Sequence, residues 1–406
     1  MNRLLLWLIL TSGMVAAAAP PTISDARRAA LSDFLRSSVA RGDVPAVVAL
    51  VVNRDAVLFL DGAGKRDVAG NAPIAPDTIF RIASMTKPVT SLAIMMLREE
   101  HKIDLDDPVT RYLPEFERLR VLTRFDAADG TLDLRPPARP ITIRHLLTHT
   151  SGIGYAFSDA RLAKLDDGKK SVLDFPLLHE PGEKFTYGQS TAVLGRVVET
   201  ISGQTLDAFF NERIFAPLGM RDTFFAVPAD KRGRVVTVHG KSGGVLTERA
   251  NPETLPSTVR GDGGLFSTAR DYGTFLQMFL NGGRHGSTRL VTEASVRLMT
   301  SNQIGTLVVE RQPSANAAIS MPFPIGSGKD KFGLGFQIET APVRMEDRGL
   351  RSVGSYSWGG INNTHFWVDP EKQVAAVVLM QVLPFYDENC LNVLRGFEKI
   401  VYASLK

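Results

Sequence analysis

Strand-like segments lie near both ends of this 406-residue chain, and a long region of mainly helical pattern separates them. Residues 46–52 and 56–61 have the apolar, β-branched composition of a hairpin that turns through Asn53. A hairpin near the N-terminus can share a sheet with strands near the C-terminus only if the chain folds back on itself. The pattern therefore predicts an α+β fold in which both chain ends complete one antiparallel sheet. The late strands of that sheet are predicted at residues 332–339, 352–358, 364–368 and 374–381.

Helices are predicted on either side of these strands. One begins after Ser24, and a closing helix covers residues 389–405. We interpret the chain as an α/β lobe formed by residues of about 24–84 and 255–406, with a mostly helical lobe of about 85–254 inserted between them.

The N-terminus has the pattern of a secretory signal peptide. A basic start precedes the apolar run 4–10, and Ala16 and Ala18 occupy the small-residue positions of a cleavage site. Cleavage after Ala18 would make residues 1–18 the signal peptide and 19–406 the mature domain of a bacterial protein that is exported to the periplasm or secreted. An uncleaved anchor is disfavoured because the apolar run is shorter than the ~20 residues that a membrane span needs. No stable span is expected after cleavage.

Charge and cysteine content exclude several other classes. The 47 basic and 43 acidic residues are spread along the chain rather than clustered, so a nucleic-acid partner is not expected. Cys390 is the only cysteine, which excludes an intramolecular disulfide and a thiolate metal cluster.

A serine and a lysine three residues apart form the first candidate catalytic pair. Ser84 and Lys87 lie at the start of a predicted helix, where this spacing places both side chains on one face and within mutual reach. A serine hydroxyl becomes an effective nucleophile only when a base takes its proton, and a neutral lysine amine can do so. No other serine of the chain is followed by lysine at this spacing. A capping serine beside a solvated lysine is the alternative that spacing alone leaves open.

The context of this pair resembles a known family. Ser84-Met85-Thr86-Lys87 is similar to the S-x-x-K motif of penicillin-binding proteins and serine beta-lactamases. The resemblance extends to class C beta-lactamase-like hydrolases and covers nearly all of the mature chain. It implies the beta-lactamase and penicillin-binding-protein fold, an antiparallel sheet flanked by helices with an inserted, mostly helical lobe. The other similar stretches follow in the family's order: IRHLLTHTSG at 143–152, PLGM at 217–220, GGLFST at 263–268 and FWVDP at 366–370.

The family's second motif, Y-x-N, resembles Tyr187-Gly188-Gln189, in which Gln189 replaces the asparagine. The resemblance implies that Tyr187 handles protons together with Ser84 and Lys87, and that Gln189 contacts the substrate. A tyrosine near a lysine cation loses its proton more easily. It can then act as a base towards the serine and as an acid towards the leaving group.

The third motif departs from the lactamase pattern. In place of K-T-G the chain has Trp358-Gly359-Gly360, followed by Ile361, and W-G-G resembles the family VIII carboxylesterases and related acyltransferases. That resemblance implies an oxyanion hole made by the amides of Ser84 and Ile361, with the three W-G-G residues at the substrate. The lysine that would pair with a substrate carboxylate is missing.

Together the motifs predict a serine hydrolase that cleaves carboxylic esters through an acyl-enzyme on Ser84. Its partner is a small-molecule ester or amide, and no metal or organic cofactor is implied. The nearest alternative is a beta-lactamase, a D-Ala-D-Ala carboxypeptidase or another amidase of the same fold. A non-catalytic penicillin-binding sensor is an alternative of another class. The irregular segment 311–330 is long enough to form a rim that affects substrate choice.

Two further patterns point elsewhere and are disfavoured. Residues 240–244, GKSGG, match the G-x-S-x-G of α/β-hydrolases, but glycines after the serine do not start the helix that this motif requires, so a surface hairpin is predicted. His145 and His149 are four residues apart, yet Leu146 replaces the glutamate of H-E-x-x-H. We expect these histidines to satisfy hydrogen bonds near the site rather than to bind zinc.

Overall fold

The structure, a computed structural model, describes residues 19–255, 257–341 and 350–406. The predicted signal peptide, residues 1–18, lies outside the described residues. Over the described ranges, no helix combines the length and the apolar character that crossing a bilayer requires.

The helices and strands follow one another along the chain, separated by turns and by longer irregular segments such as residues 300–330. The helices are α1 (Asp25–Ala40), α2 (Thr86–Glu99), α3 (Ile143–Leu147), α4 (Ala160–Leu165), α5 (Ser190–Ser202), α6 (Leu206–Phe210), α7 (Ala216–Leu218), α8 (Ala269–Leu280), α9 (Glu293–Met299) and α10 (Glu388–Ser404). The strands are β1 (Ala46–Asn53), β2 (Val57–Asp67), β3 (Ala72–Pro73), β4 (Phe80–Arg81), β5 (Val121–Phe125), β6 (Leu132–Arg135), β7 (Val238–Ser242), β8 (Val245–Arg249), β9 (Phe266–Ser267), β10 (Arg284–His285), β11 (Thr288–Arg289), β12 (Lys331–Phe332), β13 (Gln337–Ile338), β14 (Tyr356–Gly360), β15 (Thr364–Asp369), β16 (Val374–Leu379) and β17 (Val382–Leu383).

The main sheet joins the two ends of the chain. Its strand order is β12-β13-β14-β15-β16-β1-β2-β3, and each neighbouring pair is antiparallel. Strand β1 pairs directly with β16, in a register that runs from Val48 opposite Leu379 to Asn53 opposite Val374. This pairing confirms the predicted α+β fold, in which both chain ends complete one antiparallel sheet.

Strand β1 shows why the sheet is covered on both faces. Every residue of β1 is buried. Leu50 and Val52 face the core on which α8 packs, whereas Val47 and Val51 face the opposite core, to which α1 and α10 contribute. Successive residues of a strand point to opposite faces, so a continuous apolar run is the pattern of a strand buried on both sides.

Three local predictions need correction. Residues 332–339 do not form one strand, because Gly335, with φ of 100°, turns the chain between β12 and β13. The strand predicted from residue 352 begins only at Tyr356. The region after Met85 is less helical than predicted, since it contains the hairpin β5-β6.

The hairpin β7-β8 also decides between two sequence interpretations. Ser242 pairs with Val245 across its turn, so the GKSGG segment lies in a hairpin, as predicted, and not between a strand and a helix. The division of the chain into lobes at residues 85 and 254 stays a prediction.

A buried ion pair attaches α10 to the segment that leads into β14. The Arg351 guanidinium donates to both carboxylate oxygens of Glu398, at 2.9 and 2.5 Å, and the two side chains are only 16% and 10% exposed. Burial disfavours the charge of Arg351, yet the Glu398 carboxylate keeps the pKa of Arg351 above its ordinary value. The guanidinium also lies 4.9 Å from the ring centre of Trp367.

We predict that Glu398→Gln lowers the free energy of unfolding by about 3 kcal/mol, because it leaves a buried guanidinium without its counter-ion. Urea denaturation at pH 7 measures the change. The control is Glu388→Gln on the same helix: Glu388 also pairs with an arginine, but its side chain is 71% exposed, so we expect a loss below about 0.5 kcal/mol. Equal losses in both variants would contradict the prediction.

Candidate active site

Ser84 lies in a 3-10 turn between the short strand β4 and helix α2. The turn is held from the preceding side, where the Ile82 amide donates to the carbonyl of Leu265 at 3.0 Å. Ala83, directly before the serine, has a φ of 45°, a conformation that costs a non-glycine residue free energy. The first amides of a helix have no acceptor within it, so the Ser84 amide lies where an oxyanion can be bound.

Lys87 is buried, with 1% of its surface exposed, and its amine lies among oxygen atoms. The Nζ atom is 3.0 Å from Ser84 Oγ and 3.2 Å from the Tyr155 hydroxyl. It is also 2.8 Å from the main-chain carbonyl oxygen of Asp262. The structure thus brings the predicted serine and lysine together and adds two partners that the sequence did not indicate.

Tyr187 presents its ring, rather than its hydroxyl, to the lysine. The Lys87 Nζ atom lies 4.7 Å from the Tyr187 ring centre. The hydroxyl accepts a hydrogen bond from the Trp358 indole nitrogen at 3.4 Å, and the two rings pack with their centres 5.0 Å apart. Trp358, predicted to contact the substrate, therefore also holds the predicted proton carrier.

Tyr155 is the tyrosine whose hydroxyl reaches Lys87, and sequence reasoning missed it. The hydroxyl donates to the Asp262 carboxylate at 2.5 Å. Burial, followed by the charge of Asp262, raises the pKa of Tyr155 well above its ordinary value. Tyr155 comes directly after the family-like stretch 143–152 and Ile153-Gly154, but an aromatic residue after glycine is not itself a catalytic pattern.

Asp262 was also missed, although it lies one residue before the family-like stretch 263–268. Its carboxylate, 4% exposed, receives two hydrogen bonds from Arg260 at 2.9 and 2.8 Å. The same guanidinium donates to the side-chain oxygen of Gln189 at 3.1 Å. Gln189, predicted to bind substrate, directly precedes α5 and contacts Arg260.

The end of β14 lies against the turn that carries Ser84. A Cβ added to Gly360 would meet the Ile82 carbonyl oxygen at 2.2 Å and Thr364 Oγ1 at 2.4 Å. Only glycine permits this approach, which brings the following residue, Ile361, beside the segment that carries Ser84. The contact supports the predicted oxyanion hole formed by the amides of Ser84 and Ile361.

Gly359, the remaining residue of W-G-G, lies on the other side of the strand. Neighbouring residues of a strand point to opposite faces, and a Cβ added to Gly359 would meet His365 Nδ1 at 3.0 Å. His365 pairs with Gly359 in the ladder of β14 and β15. Gly359 therefore faces away from Trp358 and the tyrosines.

Both predicted histidines accept main-chain hydrogen bonds. His149 accepts a hydrogen bond from the Gly188 amide at 3.4 Å, and its burial, together with the charge of Lys87, lowers the pKa of His149 well below its ordinary value. His145 accepts from the Thr142 amide at 3.2 Å. Within the described ranges, no group of three or more His, Cys, Asp or Glu side chains is arranged to hold a metal ion.

The irregular segment 311–330 lies against both tyrosines. Gln312 accepts a hydrogen bond from the Tyr187 amide at 3.1 Å. Two amides of the segment donate to the carbonyl of Phe157, whose ring stacks on Tyr155 at 4.9 Å between centres. The position agrees with a rim beside the catalytic residues.

Comparison with known proteins gives a consistent result. The family model described as Beta-lactamase matches residues 31–394. Monacolin J acid methylbutanoyltransferase of Aspergillus terreus is 31% identical over 358 residues, covering 82% of this chain and 83% of that protein. Lovastatin esterase of Penicillium rubens is 30% identical over 354 residues, covering 80% and 85%. The solved structure of simvastatin synthase (LovD) from Aspergillus terreus superimposes with a TM-score of 0.79 at 27% identity, covering 93% of this chain and 98% of that chain.

We predict that Gly360→Ala lowers kcat for an ester substrate about 100-fold, because the strand must move away from Ile82 and a displacement of about 1 Å misplaces the oxyanion donors. Steady-state kinetics measures the loss. The control is Gly333→Ala, whose Cβ would meet the Met299 carbonyl oxygen at 2.1 Å, a comparable clash in another part of the fold. A similar loss of kcat in both variants would show that general destabilisation is the cause.

We predict that the buried His149 makes the protein less stable in acid. Because its pKa is lowered in the folded state, the unfolded chain binds more protons below pH 6.5, and the free energy of unfolding falls as the pH falls. Between pH 7 and pH 5 a single histidine can account for a loss of at most about 2 kcal/mol.

His149→Asn should remove that contribution. Asparagine tolerates the φ of 55° found at this position. Urea denaturation of the two proteins at pH 7 and pH 5 gives the comparison. The prediction is wrong if the variant loses as much stability between these pH values as the unmodified protein does.

Proposed function

The chain belongs to the beta-lactamase family, and on that premise we propose that it hydrolyses carboxylic esters through an acyl-enzyme on Ser84. The observation that carries the proposal is the contact of 3.0 Å between Ser84 Oγ and the buried amine of Lys87. A serine whose hydroxyl proton has an acceptor at this distance is an activated nucleophile.

In the first step the Ser84 oxygen attacks the ester carbonyl carbon. Its proton passes to Lys87 or Tyr187, and the alcohol leaves with a proton as the acyl–oxygen bond breaks. In the second step water attacks the acyl-enzyme and the same groups move protons in reverse. The amides of Ser84 and Ile361 would bind the oxyanion in both steps, where one lost donor typically costs about 100-fold to 1000-fold in rate.

An ester substrate is favoured over a beta-lactam by the residues beside the nucleophile. Trp358, at the place of the lysine in K-T-G, packs on Tyr187 and offers no charge to a substrate carboxylate. Two relatives are named as an esterase and as a methylbutanoyltransferase, and neither name refers to a beta-lactam. The other members of the same chemistry, a beta-lactamase or a peptidase, and a non-catalytic sensor are outcomes that the experiment below separates.

Acyl transfer to an alcohol is the second candidate, supported by the relative named as a methylbutanoyltransferase. The acyl-enzyme is common to both reactions, and only the nucleophile of the second step differs.

We also propose that the protein acts after export to the periplasm or medium, because residues 1–18 have a signal-peptide pattern.

We predict that the mature protein from Ala19 hydrolyses p-nitrophenyl acetate and butyrate, and that Ser84→Ala abolishes this turnover while nitrocefin is cleaved slowly or not at all. Release of p-nitrophenol under steady-state conditions gives the measurement. Ser38→Ala is the control, since Ser38 is buried in α1 and bonds to the Phe34 carbonyl.

Each other outcome has a definite meaning. Fast nitrocefin turnover would make the protein a beta-lactamase, and ester turnover that survives Ser84→Ala would refute the mechanism. Adding butanol separates the two candidates: a butyl ester that forms faster than free acid is produced identifies an acyltransferase.

A further inference from the structure

We propose that Asp262 is a positioning residue which, through Tyr155, directs the lone pair of a neutral Lys87 at the Ser84 hydroxyl. This inference rests on the proposed function and takes Lys87, rather than Tyr187, as the group that receives the proton of Ser84. Asp262 contacts Lys87 with its main-chain carbonyl and Tyr155 with its carboxylate. Besides Ser84, the Lys87 amine has two neighbours, this carbonyl and the Tyr155 hydroxyl, so Asp262 determines both of these hydrogen bonds.

The carboxylate of Asp262 fixes the direction of the Tyr155 hydroxyl. An ionised carboxylate can only accept hydrogen bonds, and the two hydrogen bonds from Arg260 at 2.9 and 2.8 Å favour the ionised form. The Tyr155 proton must therefore lie in the bond of 2.5 Å to Asp262. Because the pKa of Tyr155 is raised by burial and by the Asp262 charge, the hydroxyl keeps this proton.

With its proton directed to Asp262, the Tyr155 oxygen can only accept from Lys87. The main-chain carbonyl of Asp262 is likewise only an acceptor. A neutral amine has two N–H groups and one lone pair, and these two obligate acceptors, at 3.2 and 2.8 Å, take both N–H groups. The lone pair then faces the third neighbour, Ser84 Oγ, at 3.0 Å.

The same arrangement also suits the product of the proton transfer. When the Ser84 oxygen bonds to the acyl carbon, its proton forms a third N–H on Lys87. The ammonium then has three donors directed at three oxygen atoms. No hydroxyl has to rotate during the step, so the proton moves within a fixed set of partners.

An ordinary structural ion pair between Arg260 and Asp262 is the competing explanation. In that case Asp262 would affect activity through its charge and through the stability of the fold. In the proposed role Asp262 affects activity by providing an oxygen that accepts the hydrogen bond of the Tyr155 hydroxyl. These two roles respond differently to shape-preserving substitutions of Asp262. Leucine keeps the branched shape without an acceptor, while asparagine keeps one oxygen and loses the charge.

The test compares Asp262→Leu, Asp262→Asn and Tyr155→Phe with p-nitrophenyl butyrate. Without an acceptor, the Tyr155 proton turns towards the Lys87 lone pair and competes with Ser84, so Asp262→Leu should lower kcat at least 30-fold and change KM less than threefold. Asp262→Asn should stay within about fivefold of the unmodified protein. Tyr155→Phe should lower kcat about tenfold, because one N–H of the amine loses its partner.

A double-mutant cycle provides the sharper comparison. If Asp262 acts through Tyr155, then Asp262→Leu in the Tyr155→Phe background should cost no more than about threefold in kcat, against at least 30-fold alone. Asp271→Leu is the control: it removes another carboxylate that is 8% exposed, bonded to the Asp222 amide and Thr223 rather than to the site. We expect it to lower the thermal unfolding temperature and to leave kcat of the folded protein within threefold.

Equal losses for Asp262→Leu and Asp262→Asn, or losses that multiply in the cycle, would overturn the inference in favour of the ion pair. Tyr155→Phe with unchanged kcat would overturn it even if Asp262→Leu does not fold. Failure of the proposed function itself gives a different result, because ester turnover would then be absent from the unmodified protein or would survive Ser84→Ala.

Discussion

The active site depends on the hydrogen bonding between β1 and β16, which brings residues from the two ends of the chain into one sheet. Strands β15 and β14 follow outward from β16, and this order places the end of β14 against Ile82, two residues before the nucleophile. Ser84 reaches the same place through β4 and the 3-10 turn. The proposed oxyanion amides therefore come from segments nearly 280 residues apart, and their separation is set by backbone hydrogen bonds, which are more rigid than side-chain contacts.

The site also contains backbone features that would cost free energy elsewhere. Ala83 has a left-handed φ of 45° and His149 one of 55°, while Gly360 lies too close to Ile82 to carry a side chain. Such features persist only when the surrounding structure holds them. Here the turn before Ser84 is held by the Ile82–Leu265 hydrogen bond, and α2 is buried along almost its whole length. Ala83 directly precedes Ser84, and Gly360 contacts Ile82 two residues earlier, so two of these features adjoin the proposed nucleophile.

Much of the fold could be predicted because its signals are periodic. The start of the first helix and the bounds of β1, β15, β16 and the closing helix lie within a few residues of the predictions, whereas β2 continues to Asp67, six residues beyond its predicted end. Glycine turns were harder, since the break at Gly335 depends on a conformation and not on composition. The pair of Ser84 and Lys87 was accessible because both residues lie on one helical turn. Tyr155 and Asp262 were not, because their contact spans 107 positions and their importance lies in the direction of a hydrogen bond.

The proton network and the rim have separable roles. In the proposed mechanism Ser84, Lys87 and Tyr187 act on the acyl carbon and its two oxygens. These atoms are the same in every ester, so the network would not distinguish one acyl group from another. Discrimination requires side chains that contact the rest of the substrate. The segment 311–330 is placed to do this, since Phe323 packs against Tyr187 with ring centres 5.5 Å apart. Relatives named as an esterase and as a methylbutanoyltransferase are consistent with this separation: under the proposed function, the rim would decide whether water or an alcohol reaches the acyl-enzyme, while the chemistry at the serine would stay the same.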